Sequence, residues 1–153
     1  MYIEMNPPLR LLVTFQETYT IDTANWVVCA AGRDMWLAGN AVNNGVFTVY
    51  LPDLESKVVF NYASATNKQT ISRRPLPRWS LYVAGVLLKL THQGIQPLGC
   101  KAVIAGEEPP GPRYDHAVGM AFATFWHEVN RLTYDTTQLC ALVDLVQRDY
   151  ISS

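Results

Sequence analysis

Between a strand-like run, Cys100 to Ala105, and a long apolar helical pattern lies the stretch Gly106-Glu107-Glu108-Pro109-Pro110-Gly111-Pro112-Arg113-Tyr114-Asp115-His116. A loop that follows a strand and opens into a helix N-terminus ordinarily holds an anion, such as a phosphate, through free backbone N–H groups. These residues oppose that chemistry. Pro109, Pro110 and Pro112 have no N–H to offer, and Glu107, Glu108 and Asp115 repel a phosphate. The layout is that of an anion site; the side chains argue against one.

Arg113, Asp115 and His116 form a compact titratable cluster at the start of that helix. In an active reading, Arg113 clamps a carboxylate or phosphate while Asp115 orients His116 as a base. In a structural reading, Asp115 favours the helix N-terminus electrostatically and Arg113 is solvated, and this is preferred because acidic residues are common at helix starts. Glu107, Glu108 and Asp115 offer oxygen ligands suited to a hard cation, but they read first as a solvated acidic edge. His116 and His127 share a helix face about 16 Å apart, too far to ligate one metal. No catalytic residue and no metal site is expected.

The elements that must position this stretch follow from periodicity. Leu9 to Phe15, Trp26 to Ala31, Gly45 to Leu51 and Lys57 to Tyr62 read as strands, rich in β-branched and aromatic residues. Gly32-Arg33-Asp34, Gly39-Asn40 and Asn43-Asn44-Gly45 read as turns between them, which predicts a meander of four or five antiparallel strands. The polar stretch Ser64 to Arg74 reads as an exposed loop. A first long helix runs from about Pro77 to Gly94, with Trp79, Tyr82, Val83, Val86, Leu87 and Leu90 on its core side. Leu81, Ala84 and Leu88 form a second apolar stripe, and with Gly85 they make a candidate surface for pairing with another copy or a partner. After the strand Leu98 to Ala105, the second helix spans about Tyr114 to Leu132, nearly apolar all round, with a narrow polar strip of Thr124, His127, Glu128 and Arg131. The third begins at Asp135-Thr136-Thr137-Gln138, a capping-box pattern, and buries Leu139, Leu142, Val143, Val146 and Tyr150.

Composition bounds the classes. A chain of 153 residues suits one domain, and 49% hydrophobic content supports a sizeable core. Twelve basic against thirteen acidic residues leave a net charge of −1, which disfavours a nucleic-acid or anionic-membrane partner. Cys29, Cys100 and Cys140 are odd in number and widely spaced, so they predict free thiols packed as small core residues rather than a disulfide framework. Met1 to Arg10 lacks the basic and apolar pattern of a secretory leader, so a cytoplasmic location is expected.

The order of strands, helix, strand, glycine-bearing loop, long helix and final helix resembles the N-terminal domain of the GHMP small-molecule kinases, galactokinases in particular. Trp79, Tyr82, Gly85 and Gly94 sit where that family places a Trp and a Tyr ahead of a glycine. Laid on the family's Pro-x-Gly-x-Gly-Leu-Ser-Ser-Ser-Ala-Ala nucleotide motif, Pro109 and Gly111 match, Arg113 replaces the second glycine, Tyr114 the leucine, and Asp115, His116 and Ala117 the serines. The family's sugar-holding segment falls at Pro8-Leu9-Arg10 and Phe15-Gln16-Glu17-Thr18-Tyr19. Arg10, Glu17, Thr18 and Tyr19 are its degenerate counterparts, and the segment's glycine, histidine and aspartate are missing. In such enzymes the catalytic aspartate and the second domain lie beyond the stretch matched here. The resemblance implies an α+β fold, a mixed or antiparallel sheet with about three helices on one side, as a single domain over residues 1–153. It also implies a degenerate domain without kinase activity of its own, serving as a small-molecule-binding, oligomeric or regulatory module, with no cofactor. The alternative is one half of a two-chain, magnesium-ATP-dependent sugar phosphotransferase.

Overall fold

The computed structural model describes residues 7–19 and 23–152, so the question of a leader at residues 1–6 lies outside it. Its elements in chain order are α1 (Leu9–Thr18), β1 (Trp26–Cys29), β2 (Met35–Ala41), β3 (Phe47–Leu51), a short turn of 3-10 helix (Pro52–Leu54) and β4 (Ser56–Phe60). They continue with α2 (Tyr62–Thr66), α3 (Arg78–His92), β5 (Cys100–Gly106), α4 (Pro112–Val129) and α5 (Thr136–Val146), the last extended by a π-helical turn, Gln147–Ile151. The five strands lie in the order β1-β2-β5-β3-β4. All neighbours are antiparallel except β3 and β5, which run parallel.

β5 is the reason the sheet is not the simple meander that the turn signals suggest. It is inserted between the two hairpins, and six of its seven residues are buried, the near-continuous apolar pattern of a strand covered on both faces. Alternation then sorts the side chains. Leu37, Ala102 and Ile104 face the main core with α3, α4 and α5, whereas Trp36, Ala38, Val103 and Ala105 face the other side, against Leu11 and Phe15 of α1. The mixed α+β architecture with three long helices on one face is as expected; the short α2 joins that face through Ala65, and α1 covers the opposite one.

Two elements depart from the sequence reading. Leu9 to Phe15 is helical, not a strand: Leu11 and Phe15, four residues apart, are both buried on the sheet, a stabilisation of roughly 1.5–3 kcal/mol each. A short apolar run does not distinguish the two periods by itself. Gly39-Asn40 is not a turn but the interior of β2, with Gly39 opposite Ala102. A Cβ there would come within 3.0 Å of the Lys101 carbonyl oxygen, so this glycine serves close strand approach rather than chain reversal.

Smaller differences follow from local satisfaction of polar groups. The exposed loop expected over Ser64 to Arg74 begins inside α2, which Asn61 and Ser64 cap reciprocally. Of the polar strip, Thr124 and His127 are buried, in keeping with a central helix. The Thr124 hydroxyl donates to the Met120 carbonyl at 2.8 Å, and His127 Nδ1 donates to that of Ala123 at 2.7 Å. Of the three free cysteines, Cys100 is buried in the core and Cys29 and Cys140 are half-buried. Among the described residues, no helix is long and apolar enough to cross a membrane.

The α3 stripe is largely occupied within the chain. Ala84 is fully buried, Leu81 and Leu88 are half-buried against the core, and the end of α5 lies directly on Gly85. A Cβ at Gly85 would overlap Val146 Cγ1 and stand 2.9 Å from Tyr150 Cδ2. Two effects therefore oppose one another in Gly85→Ala. Helix propensity favours alanine by about 1 kcal/mol, and overpacking costs about 1–3 kcal/mol. Contact with a branched side chain and a ring should decide the sign: chemical denaturation is expected to show a net loss of up to about 2 kcal/mol, smaller when Val146→Ala is also present. A more stable Gly85→Ala protein would mean that α5 does not lie this close.

Candidate functional site

The loop between β5 and α4 is shaped by two glycines. Gly106 ends β5 where any Cβ would overlap the backbone of Asp34, and Gly111 caps α4 at φ +124°, a conformation that L side chains rarely adopt. Pro112 then occupies the first helical position. The loop N–H groups are partly committed already. Gly106 N–H donates to Asp53 Oδ2 at 3.2 Å, and Glu107 N–H donates to the Asp34 carbonyl at 3.0 Å. With Pro109, Pro110 and Pro112 lacking an N–H, few backbone donors remain for an anion.

Two arginines from outside the loop occupy its carboxylates. The Arg10 guanidinium, at the start of α1, donates to Asp53, to the Gly106 carbonyl at 3.0 Å and to Glu107 at 3.2 Å. Asp53 also accepts from the Tyr114 hydroxyl at 2.8 Å. Burial, reinforced by the Asp53 carboxylate, pushes the Tyr114 phenol well above its usual range, so it stays protonated as a donor. One carboxylate thus ties together α1, the turn after β3, the end of β5 and the first turn of α4.

The second cluster centres on Arg33, in the hairpin between β1 and β2. Its side chain is 15% exposed, and all three guanidinium nitrogens are engaged: Nε with Glu108, Nη2 with the Arg113 carbonyl, and Nη1 with His116 Nδ1 at 3.1 Å. Because a guanidinium can only donate, His116 Nδ1 accepts and the ring proton sits on Nε2. That proton points to Asp144 Oδ1 at 2.9 Å. The carboxylate partner of His116 is therefore Asp144 of α5, not Asp115, which faces Arg78 at 3.9 Å instead. Burial raises the Asp115 pKa, opposed by the Arg78 charge.

His116, Cys140 and Asp144 bring three ligand-type atoms within 4.8 Å of one another. The surroundings do not suit a cation. A metal-bound imidazole normally donates its remote N–H to a carbonyl or carboxylate, and here that nitrogen faces the Arg33 guanidinium. Burial and the neighbouring Asp144 also hold the Cys140 thiol above its usual range.

The structure thus brings Arg10 from the sugar-segment counterpart together with Tyr114 from the nucleotide-loop counterpart, through Asp53. It does not bring in the rest. Glu17 is exposed, and Glu17 and Thr18 lie two turns, roughly 12 Å, further along α1. The Tyr19 hydroxyl reaches the carbonyls of Thr48 and Ala102 at 3.4 and 3.3 Å, and its ring packs on Phe15. Pro109 and Gly111 are exposed in the loop, and Arg113 is exposed beside a cleft of about 260 Å³ that Arg33, Tyr82 and His116 also line. Sequence reasoning missed Asp53, Arg33, Asp144 and the pairing of Glu108. Arg33 stands in a segment that reads only as a turn and Asp53 between two strand readings, and no local spacing connects either to the loop.

No family model and no curated protein matches this chain. Solved structures do. The chain is similar to Lactococcus lactis galactokinase complexed with galactose, at 15% identity and a TM-score of 0.69, over 93% of this chain and 42% of that one. It is similar to Methanococcus jannaschii mevalonate kinase at 13% identity and a TM-score of 0.59, over 74% of this chain and 36% of that one. A further mevalonate kinase matches at 12% identity and a TM-score of 0.58, over 78% and 38%. This chain spans well under half the length of each. At these identities the likeness is one of fold, and the fold is that of GHMP kinase domains.

Proposed function

We propose that this chain is a GHMP-kinase-like domain without phosphotransfer activity of its own, serving as a small-molecule-binding, oligomeric or regulatory module. The observation that carries this reading is that two of the arginines at the loop, Arg10 and Arg33, are already neutralised, while Arg113 stays exposed beside them. Arg10 is engaged by Asp53 and Glu107, and Arg33 by Glu108, where a nucleotide-binding loop would leave cations and N–H groups open to phosphate. A triphosphate entering here would displace internal ion pairs and meet Glu107, Glu108 and Asp53. Self-association along α3 has only Leu81 and Leu88 to offer, because Ala84 is buried. A second reading, one half of a two-chain ATP-dependent sugar phosphotransferase, is favoured by a different fact: nearly the whole chain superimposes on 42% of a galactokinase.

Magnesium-ATP separates the two. Isothermal titration is expected to give no saturable binding tighter than ~1 mM, a level equivalent to about −4 kcal/mol. Tighter, saturable heat would turn the assignment to the phosphotransferase.

The neutralised arginine makes its own prediction. Removing Glu108 leaves a shielded guanidinium without its carboxylate, which costs about 3–5 kcal/mol when a buried pair is broken from one side. Glu108→Ala should therefore unfold at lower denaturant, and inorganic phosphate should restore part of the loss by taking the vacated place. The unaltered protein should show no such response beyond that to an equal ionic strength of chloride. A Glu108→Ala protein as stable as the parent would mean that Arg33 is not held by this pair.

A further inference from the structure

At the opposite end of β5 from the loop, a pocket of about 410 Å³ opens between the β2–β3 turn, the end of α3 and the segment leading into β5. Gly106 and Cys100 mark the two ends of the strand, so the pocket and the loop stand roughly 20 Å apart. From this pocket we infer a binding site for an uncharged small molecule with a largely apolar body and a hydrogen-bonding edge. The inference deepens the reading of the chain as a binding module.

Three observations define that chemistry. No charged residue lines the pocket. A phosphate or carboxylate would lose its hydration there without a countercharge, so the site selects neutral ligands. The floor is apolar, with Phe47 and Leu87 buried, while Leu98 and Tyr62 stand 49% and 42% exposed at the mouth, where they offer apolar surface to a ligand. The Asn43 and Gln96 amides and the Tyr62 hydroxyl line the same opening and have no hydrogen-bond partner within the described residues. A ligand's polar edge can pair with these groups without breaking any internal bond.

The walls are pre-formed. Val42 N–H donates to the Gly99 carbonyl at 2.9 Å, Gly45 N–H to that of Leu98 at 2.7 Å, and Cys100 N–H returns to that of Val46 at 3.0 Å. Asn44 Oδ1 accepts from Val46 N–H at 3.0 Å. Gly99, at φ +143°, lets the two segments interlock; a Cβ there would approach Asn44 Oδ1 to 2.8 Å. Behind Phe47 lie Phe60, stacked at 5.4 Å, and Trp126, edge-on at 6.0 Å, so the floor cannot easily collapse. Binding therefore orders little that is not already ordered.

The neutral naphthalene dye prodan, whose carbonyl can accept from the rim, tests the site against the anionic dye anilinonaphthalene sulfonate. Prodan is expected to bind the intact chain saturably, with blue-shifted emission, at least about tenfold more tightly than the sulfonate. Leu98→Lys places a charge at a solvent-accessible rim position and should weaken prodan by about tenfold or more. Gln96→Ala and Tyr62→Ala should each weaken it by roughly two- to fivefold, and Arg113→Ala, at the other end of β5, should leave it unchanged. Thermal melts confirm that each variant is folded. Absence of saturable prodan binding, equal binding of the sulfonate, or indifference to both Leu98→Lys and Tyr62→Ala would each overturn the site. None of these outcomes bears on the magnesium-ATP titration, which interrogates the loop, so the two readings fail separately.

Discussion

β5 has hydrogen-bonded neighbours on both sides, antiparallel β2 over its full length and parallel β3 over its first four residues. Its two faces carry different cores. Ala102 and Ile104 support three helices, while Val103 and Ala105 support α1. A central strand of this kind leaves very little freedom at its ends, because a shift of one residue would exchange the two cores. The places where the chain enters and leaves β5 are therefore fixed by the sheet, not by the loops. Gly99 at the entry and Gly106 at the exit are both positions where a side chain would collide with neighbouring backbone.

At the exit, that rigidity has an electrostatic consequence. A loop held at the end of a central strand and before a helix N-terminus has a local positive potential that calls for a negative partner. Here the partners are internal: Asp53, Glu107 and Glu108, matched by Arg10 and Arg33. The pairs are not equivalent. Arg10 is 41% exposed and Glu107 72% exposed, so that bridge is screened and weak, whereas Arg33 and Glu108 are both shielded, at 15% and 13%. The second pair cannot be opened from one side without leaving a buried charge, and it reaches His116 and α5 through hydrogen bonds. The loop is thus braced by cross-links that an incoming anion would have to break.

What could be read from the sequence divides along the same line between local and distant information. The long helices α3, α4 and α5 were legible because their apolar periodicity extends over three or more turns, and Asp135 does cap α5 by accepting from Gln138 N–H. The shape of the loop was legible too, since three prolines and two glutamates in a few residues constrain it whatever surrounds them. The strand order was not. β5 enters between two hairpins that are already adjacent in sequence, and only the burial of both its faces reveals this. Nor was the charge network: Arg10 and Asp53 are 43 residues apart, Arg33 and Glu108 are 75 apart, and each stands in a turn or helix end whose residue type is explained locally. Leu9 to Phe15 failed for a related reason, because its length admits either period and the decision was made by the face of the sheet it covers.

The two ends of β5 consequently offer different kinds of surface to a ligand. At the exit, Arg10 and Arg33 are held in ion pairs, so an ionic ligand that engages them must exchange one ion pair for another and gains little net energy by doing so. At the entry no charged residue lines the pocket; apolar side chains and unpaired amides face solvent, and there a neutral ligand exchanges only water. Free energy of binding arises from what is unsatisfied in the unbound protein, not from how many polar groups a site contains. By that criterion the resemblance of the loop to a phosphate site is a matter of backbone shape, and of the two ends of the central strand it is the entry that has more to gain from a neutral small molecule.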